Sequence, residues 1–334
     1  MPTYLLDRAE KREKSAARPL WLTGLLAAAC WLAAGFITTF WPDHGRSWPY
    51  SQAWSGLQLA LGVTLLVLAL SYRRWHRRGR GRGLLRAGQW LIALPLLFSL
   101  WELLTAKTGA LPLPFFAPPQ ALIEVYLTDW PRLLNSLYHS LSLLLLGVMI
   151  GTLAGFIIGM AIGWSQRIGY WVHPILRLLG PVPSTALLPL CLFIFPSSFG
   201  ASVFLIALAT WFPVTVLTWS GVANIDKAYY DVARTLGASQ HFLIFHVAIP
   251  AALPNVFVGV FMGLGASFSV LIVAEMVGVK AGIGFYLQWA QGWAAYPNMY
   301  AALIVMAFLC SGLISLLFFV RNRLLSWQQG VMKW

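Results

Sequence analysis

The sequence predicts an all-α integral membrane protein with about eight transmembrane helices, and three features support this fold class. Of the 334 residues, 59% are hydrophobic and only 10% are charged, whereas a soluble protein carries about 25% charged residues. Several apolar runs approach or exceed the ~20 residues that cross a bilayer as a helix. Basic residues are also distributed unevenly among the segments that connect these runs.

Eight apolar runs are long enough, or nearly so, to span the membrane. The weakest is interrupted by Gly180, Pro181, Pro183 and Pro189, breaks that are tolerated where neighbouring helices satisfy the freed backbone groups. The first run lacks a convincing cleavage site after it and is predicted to be a retained span. The runs cover about 19–41, 54–72, 87–105, 139–163, 171–195, 200–222, 253–275 and 298–320.

The positions of the lysine and arginine residues predict the orientation of the chain. With a cytoplasmic N terminus, the inside segments are 1–18, 73–86, 164–170, 223–252 and 321–334, and they hold most of the 23 basic residues. The outside segments hold only Arg46, Lys107, Arg132 and Lys280. This asymmetry satisfies the positive-inside rule, so both termini are predicted to be cytoplasmic.

The Arg-rich segment 73–86 is interpreted as a topology anchor between the second and third spans. Binding of anionic lipid or nucleic acid is the alternative interpretation of such a segment.

Catalytic and metal-binding patterns are not evident in the chain. It contains no phosphate-binding G-x-x-x-x-G-K-[ST] loop, so we do not expect it to hydrolyse ATP itself. His241 and His246 are five residues apart, a helical spacing that does not suit a shared metal ion. We therefore predict no enzyme activity, no metal and no cofactor for this chain.

Glycines recur at every fourth position of the span 139–163, at Gly147, Gly151, Gly155, Gly159 and Gly163. Such a stripe removes side chains from one helix face and lets a second helix backbone approach closely. The span 253–275 repeats the pattern more weakly with Gly259, Gly263 and Ser267.

Segment 231–254, DVARTLGASQHFLIFHVAIPAALP, is a polar and basic stretch between two apolar runs. We predict a short helix beginning at Asp231, a turn at Gly237 where positive φ is available, and a second amphipathic helix. Pro250 and Pro254 are predicted to stop that helix and to open the next membrane run.

The spacing in this segment resembles the EAA motif of bacterial ABC importer permeases, E-A-A-x-x-x-G followed ten residues later by I-x-L-P. The resemblance implies a coupling helix that fits a cleft on a cytoplasmic ATPase. An ordinary amphipathic loop at the membrane interface is the alternative interpretation. The matching positions are Asp231, Val232, Ala233, Gly237, Val247, Ile249 and Pro250.

Other stretches resemble the nitrate, bicarbonate, taurine and aliphatic-sulfonate branch of these permeases. They are LWELLTAKTGALP at 100–112, APPQALIEVYL at 117–127, GPVPSTALLPL at 180–190 and LIVAEMVGVKAGIGFYL at 271–287. The similarity covers about residues 86–327, which we predict to be a permease core with a coupling loop at 223–252. Residues 1–85 form an additional N-terminal part with two extra spans, and 328–334 form a cytoplasmic tail.

The resemblance implies a type I ABC importer-like core of five to six helices in the bacterial inner membrane. It implies two permease copies or a related pair, with a homodimer expected, and a periplasmic or lipid-anchored binding protein. Two ATPase subunits would bind ATP and Mg²⁺. It also implies a small solute, oxyanion-like or sulfonated, whose identity the sequence does not establish.

The resemblance further implies two groups of functional residues. Asp231, through the helix dipole, Ala233, Arg234, Gly237, Gln240 and Pro250 would serve contact with the ATPase. Pro183, Ser184, Thr185, Ser267, Ser269 and Glu275 would line the translocation path or its gate.

Two carboxylates and one outer loop have more than one interpretation. Glu275 marks either a pathway or a carboxylate that is paired with Lys280 or capped by backbone groups. Glu102, beside Trp101, is predicted to anchor the chain at the interface. The loop 106–138 either anchors the outer face or forms a rim for a substrate-delivering protein.

Two other function classes compete with an importer permease. A secondary transporter or channel would need no ATPase but would be expected to carry more ionisable residues within its spans. A membrane-embedded enzyme or scaffold would be expected to place several polar groups in one cavity.

Overall fold

The computed structural model describes residues 21–45, 47–72, 84–85 and 87–327. Within these ranges all regular structure is helical. The N-terminal tail, Arg46, all seven arginines of the Arg-rich segment and the C-terminal tail lie outside the described residues, so their predicted roles stay predictions.

The helices follow one another with short connections. They are α1 (Leu22–Phe40), α2 (Ser51–Leu70), α3 (Gly88–Lys107, π-helical over Leu103–Lys107), α4 (Pro119–Thr128), α5 (Trp130–Trp164) and α6 (Gln166–Leu179). After a 3₁₀ turn at Ser184–Leu187 come α7 (Leu188–Ile194), α8 (Ser198–Ala223), α9 (Lys227–Thr235), α10 (Gln240–Val277), α11 (Ile283–Gly292) and α12 (Tyr296–Leu324).

Seven of these helices are long and apolar enough to cross a membrane, and the prediction of about eight spans is close to this number. The eighth predicted span, 171–195, is instead a pair formed by Gln166–Leu179 and Ser184–Ile194 that is bent by 86°. Pro183 has an extended backbone at the bend, and proline cannot donate the hydrogen bond that would continue the helix. The prediction of one broken segment here is confirmed, whereas its start lies five residues too late.

The chain divides into two compact units, the first of which contains residues up to Asp129 and Ala294–Tyr300. In this unit α1 and α2 pack closely because glycines receive the partner's leucines: Gly35 lies against Leu59, and Gly62 against Leu32. Ala27, Ala28, Trp31 and Leu65 form a buried cluster against which Leu91, Ile92 and Phe98 of α3 also pack.

The second unit, Trp130–Trp293 and Ala301–Trp334, is organised around α8. The glycine stripe of α5 faces α8, and a Cβ atom on Gly155 or Gly159 would lie 2.8 or 2.6 Å from the carbonyl oxygen of Trp211 or Thr215. The predicted close approach of two backbones is thus confirmed. The sequence alone did not identify α8 as the partner.

Helix α10 packs on α8 through small residues of its own. A Cβ atom on Gly259 would lie 2.9 Å from Val214 Cα, and one on Gly263 would lie 3.1 Å from Thr210 Cα. Further along, the hydroxyl oxygens of Thr210 and Ser267 are 2.6 Å apart and buried. Because α8 contacts both α5 and α10 at backbone distance, these three helices form the rigid centre of the unit.

The prediction that Pro250 and Pro254 stop a helix is wrong. Residues Gln240–Val277 form one continuous helix of 38 residues, which passes through a π-helical turn at Leu243–Ala248. A π-helical turn pairs a carbonyl with the N–H five residues later, so it does not need the fourth-residue N–H that proline lacks. The cytoplasmic segment and the following membrane span are therefore parts of the same helix.

Candidate functional site

Helix α9 begins earlier than the sequence pattern indicated. Its N-cap is Asp226, whose Oδ1 accepts a hydrogen bond of 2.9 Å from the backbone N–H of Ala228. Asp231 lies in the middle of the helix, so its predicted role as a cap at the helix N terminus is wrong. The capping contribution, about 1 kcal/mol for such a residue, comes from Asp226.

The end of α9 is fixed by a Schellman motif centred on Gly237, which has φ +81°. Its N–H donates to the carbonyl of Arg234 (2.9 Å), and the N–H of Ala238 donates to the carbonyl of Ala233 (3.0 Å). This pair of bonds defines the motif and requires a left-handed residue at the position of Gly237. The predicted glycine turn is confirmed, and its hydrogen bonds make it a rigid corner.

One face of this corner is an apolar groove of about 570 Å³, which we call the coupling groove. Leu236 is 82% exposed and Val232 61% exposed, which is unusual for large apolar side chains grouped on one surface. The groove is lined by Ala228, Tyr229, Val232, Ala233, Leu236, Gly237, Ala238 and Phe242.

The other face of α9 borders a more polar cavity of about 660 Å³, to which Lys227, Asp231, Arg234 and Gln240 contribute. Arg234 and Asp231 form an exposed ion pair at 3.8 Å, an arrangement that adds little stability. Burial raises the pKa of the Tyr230 phenol, and the charge of Arg234 partly offsets this. Tyr230 therefore stays neutral at physiological pH.

Helix α9 is attached to the second unit by a small core. Tyr230, Ile225 and Ile249 pack against the buried cluster Met160, Val222, Ala248 and Ala252. The Tyr230 ring also meets Trp164 edge-on, with centroids 5.9 Å apart. Pro250, predicted to contact an ATPase, lies in the first turn after the π-helical segment and lines neither the coupling groove nor the polar cavity.

A second cavity lies in the second unit at the bend between α6 and α7, and we call it the bend cavity. Its volume is about 470 Å³, and its walls come from the bend, α8 and α10. Of the residues predicted to line the translocation path, Pro183, Ser184, Thr185 and Ser269 border this cavity. Ser267 does not, because it is fully buried and bonded to Thr210 on α8.

Glu275 also lies away from the bend cavity, at the end of α10, and is fully buried. Its Oε2 accepts hydrogen bonds from the N–H of Gly284 (2.7 Å) and the hydroxyl of Ser140 (2.9 Å). Ser140 in turn accepts one of 2.8 Å from the N–H of Ile283. Of the interpretations left open, backbone capping matches this geometry: the carboxylate satisfies the N-terminal amides of α11.

A comparison with protein families matches residues 147–327, more than half of the chain, to the binding-protein-dependent transport system inner membrane component family. The chain belongs to this family. The match contains α8, the bend cavity, α9 and all of α10.

Several curated proteins resemble this permease over most of their length. The taurine transport system permease protein of Escherichia coli (strain K12) is 31% identical over 71% of this chain and 89% of its own. A probable ABC transporter permease protein of Brucella abortus (strain 2308) is 29% identical over 69% and 91%. The nitrate import permease protein of Leptolyngbya laminosa is 28% identical over 71% and 85%.

A crystal structure of an amino acid ABC transporter with histidines matches with a TM-score of 0.46 and 21% identity, over 58% of this chain and 95% of that chain.

Family membership establishes the kind of protein. The chain is a permease subunit of an ABC importer of the nitrate, taurine and sulfonate branch, and ATP hydrolysis in such systems belongs to separate subunits. The family implies an inner-membrane location, ATPase and substrate-binding protein partners and permease dimers.

The sequence analysis missed a buried polar network in the first unit of the permease. Glu102 is 1% exposed, so its predicted role as an interfacial anchor is wrong. Its carboxylate accepts hydrogen bonds from Thr38 Oγ1 (2.8 Å), Trp54 Nε1 (3.0 Å) and Gln120 Nε2 (2.7 Å). The network therefore links α1 and α2 to α3 and α4.

Lys107 completes this network from the π-helical end of α3. It lies 3.8 Å from Glu102 and 2.8 Å from Asp43. Its Nζ also donates to the carbonyls of Thr38 (3.0 Å) and Trp41 (2.6 Å). The sequence placed Lys107 in an outer loop, whereas only 5% of the residue is exposed. A buried lysine needs such partners because desolvation of an unpaired charge is costly.

Proposed function

We propose that residues 226–242 of this permease are the segment through which a cytoplasmic ATPase, carrying ATP and Mg²⁺, drives import. The exposed apolar coupling groove on a corner fixed by the Schellman motif is the observation that carries the proposal. Apolar surface of this kind marks sites of protein association, and a rigid corner transmits displacement. On this proposal the N and C termini are cytoplasmic, as the basic residues predict.

The sequence-predicted residues divide by role in this proposal. Ala233 and Gly237 contact the ATPase through the coupling groove, while Asp231, Arg234 and Gln240 supply polar contacts from the opposite face. Pro183, Ser184, Thr185 and Ser269 border the solute path. Ser267 and Glu275 support the walls of that path rather than line it, and Pro250 supports the corner.

The assembly proposed is a homodimer of this chain with two ATPase subunits and a binding protein. Two observations support it. Only 6% of the most apolar window of α12 is buried within the chain, which leaves a long apolar surface for a second copy or lipid. In the first unit, an outer groove of about 410 Å³ includes Trp48, Pro114, Glu124 and Pro297, and it offers a contact for the binding protein.

The solute proposed is a small oxyanion or sulfonate-like compound. Relatives named for taurine and nitrate support this class. Residues 1–85 are proposed to be an addition to the permease core of 86–327, fastened to it through the Glu102–Lys107 network.

The experiment is purification of the tagged protein from its native membrane in mild detergent, followed by quantification of the chains that co-purify. We expect an ATPase with a phosphate-binding loop in about equal amount to the permease. The double variant Val232→Asp/Leu236→Asp should lose the ATPase while the permease remains membrane-inserted, because both side chains lie in the coupling groove. Retention of the ATPase by this variant would contradict the proposed coupling segment.

A further inference from the structure

The bend cavity has a lining that differs from what a small inorganic anion requires. None of its sixteen lining residues is charged. Its polar side chains are the hydroxyls of Ser184, Thr185 and Ser269 and the indole of Trp211, and the remaining lining residues are apolar or glycine. Transfer of a small, highly hydrated anion into such surroundings without a cation is unfavourable.

The volume of the cavity also favours a larger solute. At about 470 Å³ it lies within the range of sites that enclose organic ligands, roughly 300–1,000 Å³, which are lined mainly by apolar and aromatic groups with a few polar groups for orientation. The rings of Trp211 and Phe212 and the exposed side chain of Met262 supply the apolar surface.

The backbone next to the cavity adds a hydrogen-bonding group. Pro213 lies within α8 and lacks the N–H that would otherwise bond to the carbonyl of Ala209, four residues earlier. Both residues border the cavity. A solute with a polar group, or the water that accompanies it, would find an acceptor there as well as the three hydroxyls.

The wall behind the cavity is held rigidly. Thr210 and Ser267 join α8 to α10 with buried hydroxyls 2.6 Å apart. The edge of the Phe212 ring lies so close to Gly180 that a Cβ there would be 2.7 Å from the ring. The size of the cavity is therefore determined by packed backbone on this side, and rigid walls can select a solute by its shape.

We infer that the bend cavity is a solute site of the permease itself, selective for an organic solute with an apolar body and one polar group over a small inorganic oxyanion. This inference rests on the proposed function and narrows its solute class. The absence of a charged lining residue suits a path, because a site on a path must release its solute as readily as it receives it.

The test uses the intact complex with its co-purifying ATPase and a permease whose three cysteines, Cys30, Cys191 and Cys310, are replaced. Ser269→Cys is labelled with a water-soluble methanethiosulfonate reagent, alone or with hexanesulfonate or nitrate at equal concentration. Val258→Cys, on the same helix, 45% exposed and outside the cavity lining, is the matched control. We expect hexanesulfonate to slow labelling of Ser269→Cys several-fold, nitrate to have no effect, and neither to protect Val258→Cys.

Equal protection by nitrate, or no protection by hexanesulfonate, would overturn the inferred selectivity. Failure of Ser269→Cys to react in a complex that hydrolyses ATP would show that the cavity is not on an aqueous path, and would leave the importer intact as a proposal. If no ATPase co-purifies at all, the proposed function fails. Protection is then measured on the isolated permease, where the same difference between hexanesulfonate and nitrate decides the solute site alone.

Discussion

Gly237 determines the conformation of the corner between α9 and α10, and its effect can be separated from that of side-chain size. A Cβ atom at this position would contact nothing within 4 Å, yet φ is +81°. An alanine would therefore be strained by about 1–2 kcal/mol, whereas asparagine adopts this conformation more readily.

We expect Gly237→Ala to reduce the coupling of ATP hydrolysis to uptake more than Gly237→Asn does. The measurement is the ratio of solute transported to ATP hydrolysed in reconstituted vesicles. If the larger asparagine is the more harmful of the two, the ATPase surface excludes bulk there and backbone conformation is not the controlling factor.

Lys107 and Glu102 show why a buried site can escape sequence analysis. Trp54 and Thr38 contact Glu102 from 48 and 64 residues away, so no local pattern joins them. A glutamate beside a tryptophan near the end of a span looks like an interfacial residue until the first two helices are placed beside it. The reverse holds at Gly237, where turn chemistry within six residues predicts the outcome.

We expect Lys107→Met to destabilise the first unit by about 3–5 kcal/mol, because it leaves Glu102 and Asp43 buried without their cation. Thermal unfolding in detergent and proteolysis between α2 and α3 would report the loss. Lys280→Met, which removes an exposed lysine, is the control and should leave both measurements unchanged. Equal stability of the two variants would mean that the network contributes little.

At the level of elements, periodicity predicted helix positions well and helix ends poorly. The glycine stripe of α5 correctly predicted a close helix contact because its cause, an absent Cβ on one face, is local. The proline pair at 250 and 254 was misleading, because a π-helical turn outside the reach of simple helix rules lets the helix continue. Both cavities require several helices at once, so the sequence could indicate their residues but not which of them share a wall.

We expect Gly159→Ala in α5 to destabilise the permease by about 1–3 kcal/mol, the usual cost of overpacking. The added methyl carbon would lie 2.6 Å from the carbonyl oxygen of Thr215 on α8. Gly312→Ala in α12 is the matched control, since nothing lies within 4 Å of its added carbon. Thermal stability in detergent compares the two, and a loss for Gly312→Ala alone would contradict the packing described.

At the level of the whole molecule, hydropathy and charge asymmetry were sufficient to predict the fold class and an orientation. The orientation remains a prediction that accessibility can test. Thr128→Cys, on α4, should react with an impermeant thiol reagent in intact cells from which the outer membrane has been removed. Leu236→Cys should react only after the inner membrane is opened. The opposite pattern would place the coupling groove on the outer side and exclude contact with a cytoplasmic ATPase.

The continuity of α10 has a mechanical consequence. At 1.5 Å per residue, its 38 residues form a rod about 57 Å long. Near one end are the corner at Gly237 and the coupling groove; Ser269 lies along the rod, and Glu275 near the far end holds the first amides of α11. If a rod of this length tilts by about 5° at its cytoplasmic end, the other end moves by roughly 5 Å. A lever of this kind would move the wall of the solute path and the outer helix in a single stroke.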